Sequence, residues 1–194
     1  MSEPAELPEL PVRTPPVQPP HARARSLVLV NTGDGKGKST AAFGVVLRAL
    51  ACDWQVCVLQ FIKSGKWKVG EEKVARRLGV DWRAGGDGFS WLSPDLDESQ
   101  RRALDCWRQA RAVIAAGEHR LVVLDELTYP VNWGWIPVEE VVEALRGRPD
   151  RVNIVVTGRN APAAIVEIAD TVTEMVNVKH AYERGVRARR GIDF

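Results

Sequence analysis

Thr32-Gly33-Asp34-Gly35-Lys36-Gly37-Lys38-Ser39-Thr40 is wedged between the apolar run Ser26–Asn31 and an apolar-periodic stretch carrying Ala41, Ala42, Val45, Val46, Ala49 and Leu50. A strand that turns through glycines straight into a helix is the setting of a phosphate-binding loop. The glycines let the backbone curl until several N–H groups point at one anion. The helix N-terminus adds the positive end of its dipole. Lys38 can reach phosphates farther out, and the Ser39 hydroxyl can ligate Mg²⁺. There is one departure. In G-x-x-x-x-G-K-[ST] the first glycine falls at Thr32, whereas here Gly33 comes one place late.

The rest of the chain repeats the strand-then-helix rhythm. Gln55–Phe61, Val80–Arg83, Leu121–Leu124, Val152–Val156 and Thr171–Val176 read as strands. Glu71–Leu78, Asp95–Gly117, a segment from Pro137 to Leu145, and Ala163–Ala169 read as helices. Asp95, Asp97 and Glu98 suit a helix start and Gly117 a helix end, while Pro137 fits a first turn. Fully apolar strands alternating with helices predict an α/β fold, with a mostly parallel sheet covered by helices on both faces.

Composition sets the outer limits. A chain of 194 residues suits one domain with a sizeable core. Its net charge of +2 excludes a polybasic nucleic-acid arm or an acidic tail as the main theme. No apolar run approaches the roughly 18–20 residues that span a bilayer. Seven of the 12 prolines fall in the first twenty residues, so residues 1–24 are expected to be a mobile or polyproline-like leader to a domain over 25–194. The start has no secretory pattern. Cys52, Cys57 and Cys106 form no C-x-x-C pair and have no histidine at metal-ligand spacing. A disulfide framework or structural zinc is therefore not expected, and a reducing cytoplasm is.

Other segments carry chemistry with less force. Leu121-Val122-Val123-Leu124 ends in Asp125-Glu126, a carboxylate pair where a nucleotide site holds its metal. Glu126 either orients an attacking water or holds Mg²⁺. Gly85-Gly86-Asp87-Gly88-Phe89-Ser90-Trp91 joins glycines to two aromatics, which either cap the core or meet a planar ligand. Gln60–Lys63 and Thr157-Gly158-Arg159-Asn160 end strands, where α/β ligand sites collect; Arg159 meets nucleotide there or is a solvated turn residue. His180 reads as a surface or hydrogen-bonded residue. Arg184, Arg187, Arg189 and Arg190 read as a solvated basic face rather than an anion clamp.

Asn31–Gly44, Gln60–Lys63, Gly88–Trp91, Val123–Tyr129, Thr157–Arg159, Ala169–Val172, Val178–Ala181 and Gly191–Phe194, in that order and spacing, resemble the corrinoid adenosyltransferases of the CobA/CobO/BtuR type. The likeness runs over about residues 26–194, and the late Gly33 belongs to that family's own pattern. It implies a RecA-like phosphate-loop fold and an enzyme that moves the 5′-deoxyadenosyl group of ATP onto Co(I) of a corrinoid, releasing triphosphate. This serves adenosylcobalamin biosynthesis or salvage. The resemblance also implies Mg²⁺ (or Mn²⁺), a homodimer and an external electron donor such as a flavoprotein, with no nucleic-acid or membrane partner. ATP would bind through Thr32, Gly33, Asp34, Gly35, Lys36, Gly37, Lys38, Ser39, Thr40 and Arg159, in a reversed sense across the loop. Ser39, Glu126 and Asp125 would serve the metal. Phe89 and Trp91 would press on the lower corrin face, excluding the axial ligand so that Co(II) is easier to reduce. The competing readings are a RecA-like ATPase and a nucleotide-dependent binding module. Neither gives Phe89 and Trp91 a role.

Overall fold

The structure is a computed structural model that describes residues 25–64, 70–86 and 96–193. The leader over 1–24, the loop with Phe89 and Trp91, and Phe194 lie outside the described residues, as does the side chain of Lys63.

Six strands form one sheet in which every described pairing is parallel. They are β1 (Val28–Thr32), β2 (Val56–Ser64), β3 (Asp81–Gly86), β4 (Leu121–Asp125), β5 (Asn153–Thr157) and β6 (Thr171–Glu174), in the order β3-β2-β4-β5-β1-β6. The helices are α1 (Lys38–Leu50), α2 (Gly70–Arg77), α3 (Leu96–Ala116), α4 (Thr128–Asn132), α5 (Val138–Arg146) and α6 (Ala163–Ile168). This is the α/β architecture expected from alternating apolar runs.

Both faces of the sheet are covered, which is why its central strands carry unbroken apolar runs. On one face, Ala42, Phe43, Val46 and Ala49 of α1 and Ala75 of α2 pack on Val56, Val58, Leu121, Val123 and Val155. On the other, Cys106, Trp107, Ala110 and Ile114 of α3 join Val141 and Leu145 of α5 and Ile165 of α6 over Cys57, Leu59, Val122, Leu124, Ile154 and Val156. Adjacent residues of one strand thus serve opposite cores, as the two-residue strand period requires. β6 differs: all four of its residues are exposed, because it is an edge strand paired only to β1.

Boundaries moved by one to three residues, β2 and β3 each running three residues past the expected end. Pro137 is extended (φ −60°, ψ 130°) and stands as the N-cap of α5 rather than in its first turn. Its lack of an N–H costs nothing there. The last strand stops at Glu174, two residues short of the expected Val176. α4, five residues directly after the acid pair, was not expected, since so short a helix has no apolar period to read. Gly117 ends α3 with φ +66°, as anticipated.

β3 sits close under α3 because Gly85 has no side chain. A Cβ there would lie 2.4 Å from Cys106 Cβ. Gly85→Ala should therefore force β3 and α3 apart and cost about 1–3 kcal/mol of stability, read from urea unfolding. An unchanged midpoint would show that the contact is not tight.

Candidate functional site

The glycine loop, the acid pair and the Thr157-Gly158-Arg159 turn all lie at the C-terminal edge of the sheet, where open parallel sheets hold ligands. The loop leaves β1 at Gly33 (φ +92°) and enters α1 through Gly37, the N-cap, whose φ of +118° favours glycine. Lys38 opens the helix. Its Nζ donates to the carbonyls of Gly33 and Gly35, both at 2.7 Å. The ammonium thus sits over the hollow of its own loop.

Why Gly33 replaces a glycine at Thr32 is visible in the packing. The chain leaving β6 crosses the loop so closely that Gly35 N–H donates to Met175 O at 2.6 Å and Met175 N–H donates to Thr32 O at 2.9 Å. A Cβ on Gly33 would meet Met175 O at 2.5 Å, and one on Gly35 would meet Val176 O at 2.7 Å. Thr32 instead uses its side chain: Oγ1 accepts from Ala161 N–H at 3.0 Å, tying the loop to the turn after β5. Farther along the tail, Lys36 pairs with Asp193.

The acid pair is held by a buried polar ladder. Asp125 and Thr157 end β4 and β5, and Gln60, inside β2, lies in register with Asp125, so Gln60, Asp125 and Thr157 share the α1 face. Each is at most 1% exposed. Gln60 Nε2 donates to Asp125 Oδ2 at 2.9 Å, and the Thr157 hydroxyl donates to Asp125 Oδ1 at 2.7 Å. Thr157 Oγ1 also accepts from Glu126 N–H at 2.9 Å. That bond secures Glu126 in a left-handed conformation (φ +64°), which an L-residue adopts at a cost of about 1 kcal/mol or more. Asp125 therefore stands behind the site with both oxygens engaged, and Glu126, half-buried, is the member of the pair nearer the surface.

Arg159 is set from the other side. Thr128 Oγ1 donates to Arg159 O at 2.7 Å, and Asn132 Nδ2 donates to the same carbonyl at 3.2 Å. The Arg159 guanidinium reaches within 3.8 Å of Asp34 in the loop. Burial lowers the Lys38 pKa, Arg159 lowers it further, and Asp34 and Glu126 partly oppose both. The loop lysine, the turn arginine and the acid pair thus share one electrostatic neighbourhood. Tyr129 belongs to it too: burial and the Glu126 charge push its hydroxyl up. Its ring is 5.8 Å from Trp133, which is 4.7 Å from Trp135.

Of the residues expected from sequence, Thr32–Thr40, Asp125, Glu126 and Arg159 come together here. Phe89 and Trp91 are outside the described residues. His180 serves its own turn. Its Nδ1 accepts from Tyr182 N–H at 3.2 Å and Glu183 answers it, a reciprocal cap on the 3₁₀ turn Ala181–Arg184. Arg184, Arg187, Arg189 and Arg190 are exposed. Thr157 and Tyr129 had no assigned part. A polar residue closing an apolar run, as in Ile154-Val155-Val156-Thr157, is the signal that pointed to the former.

The whole described chain matches one family. A family model described as ATP:corrinoid adenosyltransferase BtuR/CobO/CobP matches residues 24–194. The chain is 41% identical over 170 residues to a protein named corrinoid adenosyltransferase from Escherichia coli K12, covering 88% of this chain and 86% of that one. It is 40% identical over 170 residues to the corrinoid adenosyltransferase CobA of Salmonella typhimurium, with the same coverage. A corrinoid adenosyltransferase of Pseudomonas aeruginosa is 41% identical over 172 residues, covering 88% and 84%.

Two outcomes test this geometry. Thr157→Val keeps the side chain's shape but strips a donor from Asp125 and an acceptor from Glu126 N–H. It should cost about 1–3 kcal/mol in unfolding experiments and release Glu126 from its fixed backbone. Second, because the Lys38 pKa is lowered from 10.5, its charge is lost earlier than that of an ordinary lysine as pH rises. Triphosphate affinity, measured by calorimetry, should therefore weaken on the alkaline side before ordinary lysines titrate. A Lys38→Arg variant should lack that early loss.

Proposed function

The chain belongs to the ATP:corrinoid adenosyltransferase family, and we propose on that premise how its own residues divide the transfer of a 5′-deoxyadenosyl group from ATP to a reduced corrinoid. The protein is an enzyme of this class. The observation that carries the residue assignment is the convergence of Lys38, Arg159 and the Asp125–Glu126 pair on the Gly33–Ser39 loop.

In this reading Co(I) of the corrinoid is the nucleophile and attacks the 5′ carbon of ATP. A cobalt–carbon bond forms, the carbon–oxygen bond breaks, and triphosphate departs with the electron pair. The protein's part is to stabilise charge along the whole leaving chain. Backbone N–H groups from Gly33 to Gly37 and the N-terminus of α1 supply fixed dipoles. Lys38 turns its ammonium from the loop carbonyls to phosphate oxygens, and Arg159 adds a second cation. Thr32, Asp34, Lys36 and Thr40 complete the ATP contacts. No covalent nucleophile and no general base are needed.

Ser39, Glu126 and Asp125 are hard oxygen donors, a set that suits Mg²⁺ or Mn²⁺. Such an ion, when bound, neutralises charge on the triphosphate. Ser39 and Glu126 would hold it, with Asp125 in support because Gln60 and Thr157 already occupy both of its oxygens. Phe89 and Trp91 are assigned to the lower corrin face, where large rings occupy the axial position without donating to cobalt. We further propose a cytoplasmic homodimer that draws electrons from an external flavoprotein. Three unpaired cysteines agree with a reducing compartment. Among the described residues no helix is long and apolar enough to cross a membrane.

The test is direct. The protein is incubated with ATP, Mg²⁺ and a chemically reduced corrinoid, and the corrinoid spectrum and phosphate products are followed. Adenosylcorrinoid with triphosphate is expected, whereas ADP with phosphate and an unchanged corrinoid would mark a RecA-like ATPase instead. Lys38→Ala should reduce turnover about 100-fold or more. Trp91→Ala should slow the reaction from Co(II) far more than that from preformed Co(I). Equal losses would remove the axial-exclusion role.

A further inference from the structure

A second cluster of chemistry lies at the opposite end of the sheet. Cys57 is the second residue of β2, Asp81 opens β3 as its direct cross-strand partner, and His119 precedes β4 by two residues. All three sit at the N-terminal ends of parallel strands, across the sheet from the glycine loop. Sequence spacing hides them, since 62 residues separate the cysteine from the histidine. From these groups we infer a divalent transition-metal site, with Cys57 Sγ, Asp81 Oδ2 and a His119 ring nitrogen as protein ligands and Zn²⁺ as the fitting ion.

The distances suit it. Sγ lies 3.7 Å from Asp81 Oδ2, and His119 Nε2 lies 3.7 Å from the same oxygen. The three donor atoms are all within 4.8 Å of one another. Tetrahedral zinc, with bonds of about 2.0–2.3 Å, has donor–donor edges of about 3.3–3.5 Å. Two edges need to close by a few tenths of an ångström and the third by at most about 1.3 Å. A thiolate, an imidazole and one carboxylate form a mixed set that selects zinc over the hard-oxygen cations Mg²⁺ and Ca²⁺.

The surroundings leave the site open to such an ion. The His119 side chain is 16% exposed, and its Nδ1 is buried without a hydrogen-bond partner among the described residues. Asp81 is 36% exposed at the side chain, so solvent can enter and supply the fourth ligand. Cys57 is fully buried, and burial, with Asp81 beside it, pushes its thiol up to about 12. Binding breaks the S–H bond, forms the metal–sulfur bond and releases one proton to solvent, with no change of oxidation state. Arg83 is the built-in competitor: Nη2 donates to Asp81 Oδ2 at 2.6 Å, and Nε donates to Oδ2 at 3.1 Å and to Oδ1 at 3.2 Å. Ligation at Oδ2 competes with the first two contacts and leaves the one to Oδ1. The bound ion would staple β2, β3 and the approach to β4 without touching the nucleotide site.

Cobalt(II) reports on such a site because thiolate ligation gives a near-ultraviolet charge-transfer band and tetrahedral geometry gives intense visible absorption. The full chain, carrying Cys52→Ser to remove the exposed thiol, is titrated with Co²⁺ in the absence of ATP. Both signals should appear and saturate at one ion per chain, with one proton released per ion, and Zn²⁺ should displace them. Cys57→Ser should abolish the thiolate band, Cys106→Ser should retain it, and His119→Ala should weaken binding at least tenfold. An ion in the Ser39–Glu126 oxygen set gives no thiolate band, so the two sites are told apart. Absence of the band up to millimolar Co²⁺, or its survival in Cys57→Ser, would overturn the assignment. His119→Ala alters a partly exposed residue, so it carries the test even where Cys57→Ser unfolds.

Discussion

Three buried polar side chains in a row hold the working end of this protein together. Gln60 within β2, and Asp125 and Thr157 at the ends of β4 and β5, bond to one another and to the backbone beside them. A carboxylate removed from water is costly unless its oxygens are satisfied, and here both are. The ladder therefore fixes the register of β2, β4 and β5 at their C-terminal ends, because a slip of one residue would turn these groups into the apolar core on the other face. Glu126 depends on it directly. Its left-handed backbone is sustained by the same Thr157 hydroxyl that satisfies Asp125. The C-terminal edge of the sheet inherits its shape from a hydrogen-bond network that contributes no surface of its own.

The glycine loop is held by a different constraint, which is space. Its outer wall is the backbone at Met175 and Val176, arriving from the edge strand β6. Side chains at Gly33 or Gly35 would collide with backbone atoms, which cannot rotate away as a side chain can. The loop thus owes its composition to two demands. Gly37 answers the local one, a positive φ at the helix entrance. Gly33 and Gly35 also answer a tertiary one. The tail that crosses the loop continues to Asp193, which pairs with Lys36 at the surface of the glycine loop.

Much of this was legible beforehand because the covered parallel sheet leaves a strong mark. Strands buried on both sides read as unbroken apolar runs, and Leu121–Leu124 and Val152–Val156 could be little else. Ends were less legible: Pro137 has the same fixed φ as N-cap or in the first turn, so sequence alone did not separate the two. α4 was invisible because five residues carry no period. His180 read as a surface or hydrogen-bonded residue and caps a turn, a role defined by the backbone it folds against.

The amino-acid order by itself determined the α/β class, the glycine loop between strand and helix and the acid pair, and its motifs carried the family. All of these are local patterns: a run, a period or a spacing within a dozen residues. Tertiary structure alone decided the rest. It made Asp125 a supported anchor rather than an open ligand, gave Thr157 its part, and explained the late glycine through a chain segment about 140 residues away. It also brought Cys57, Asp81 and His119 to one point, where the spacing of the cysteines and histidines gave no sign of a structural zinc site. The physical reason is common to all four. A parallel sheet aligns strand ends that are distant in sequence, so what meets at those ends is set by strand order and register, which no local pattern encodes.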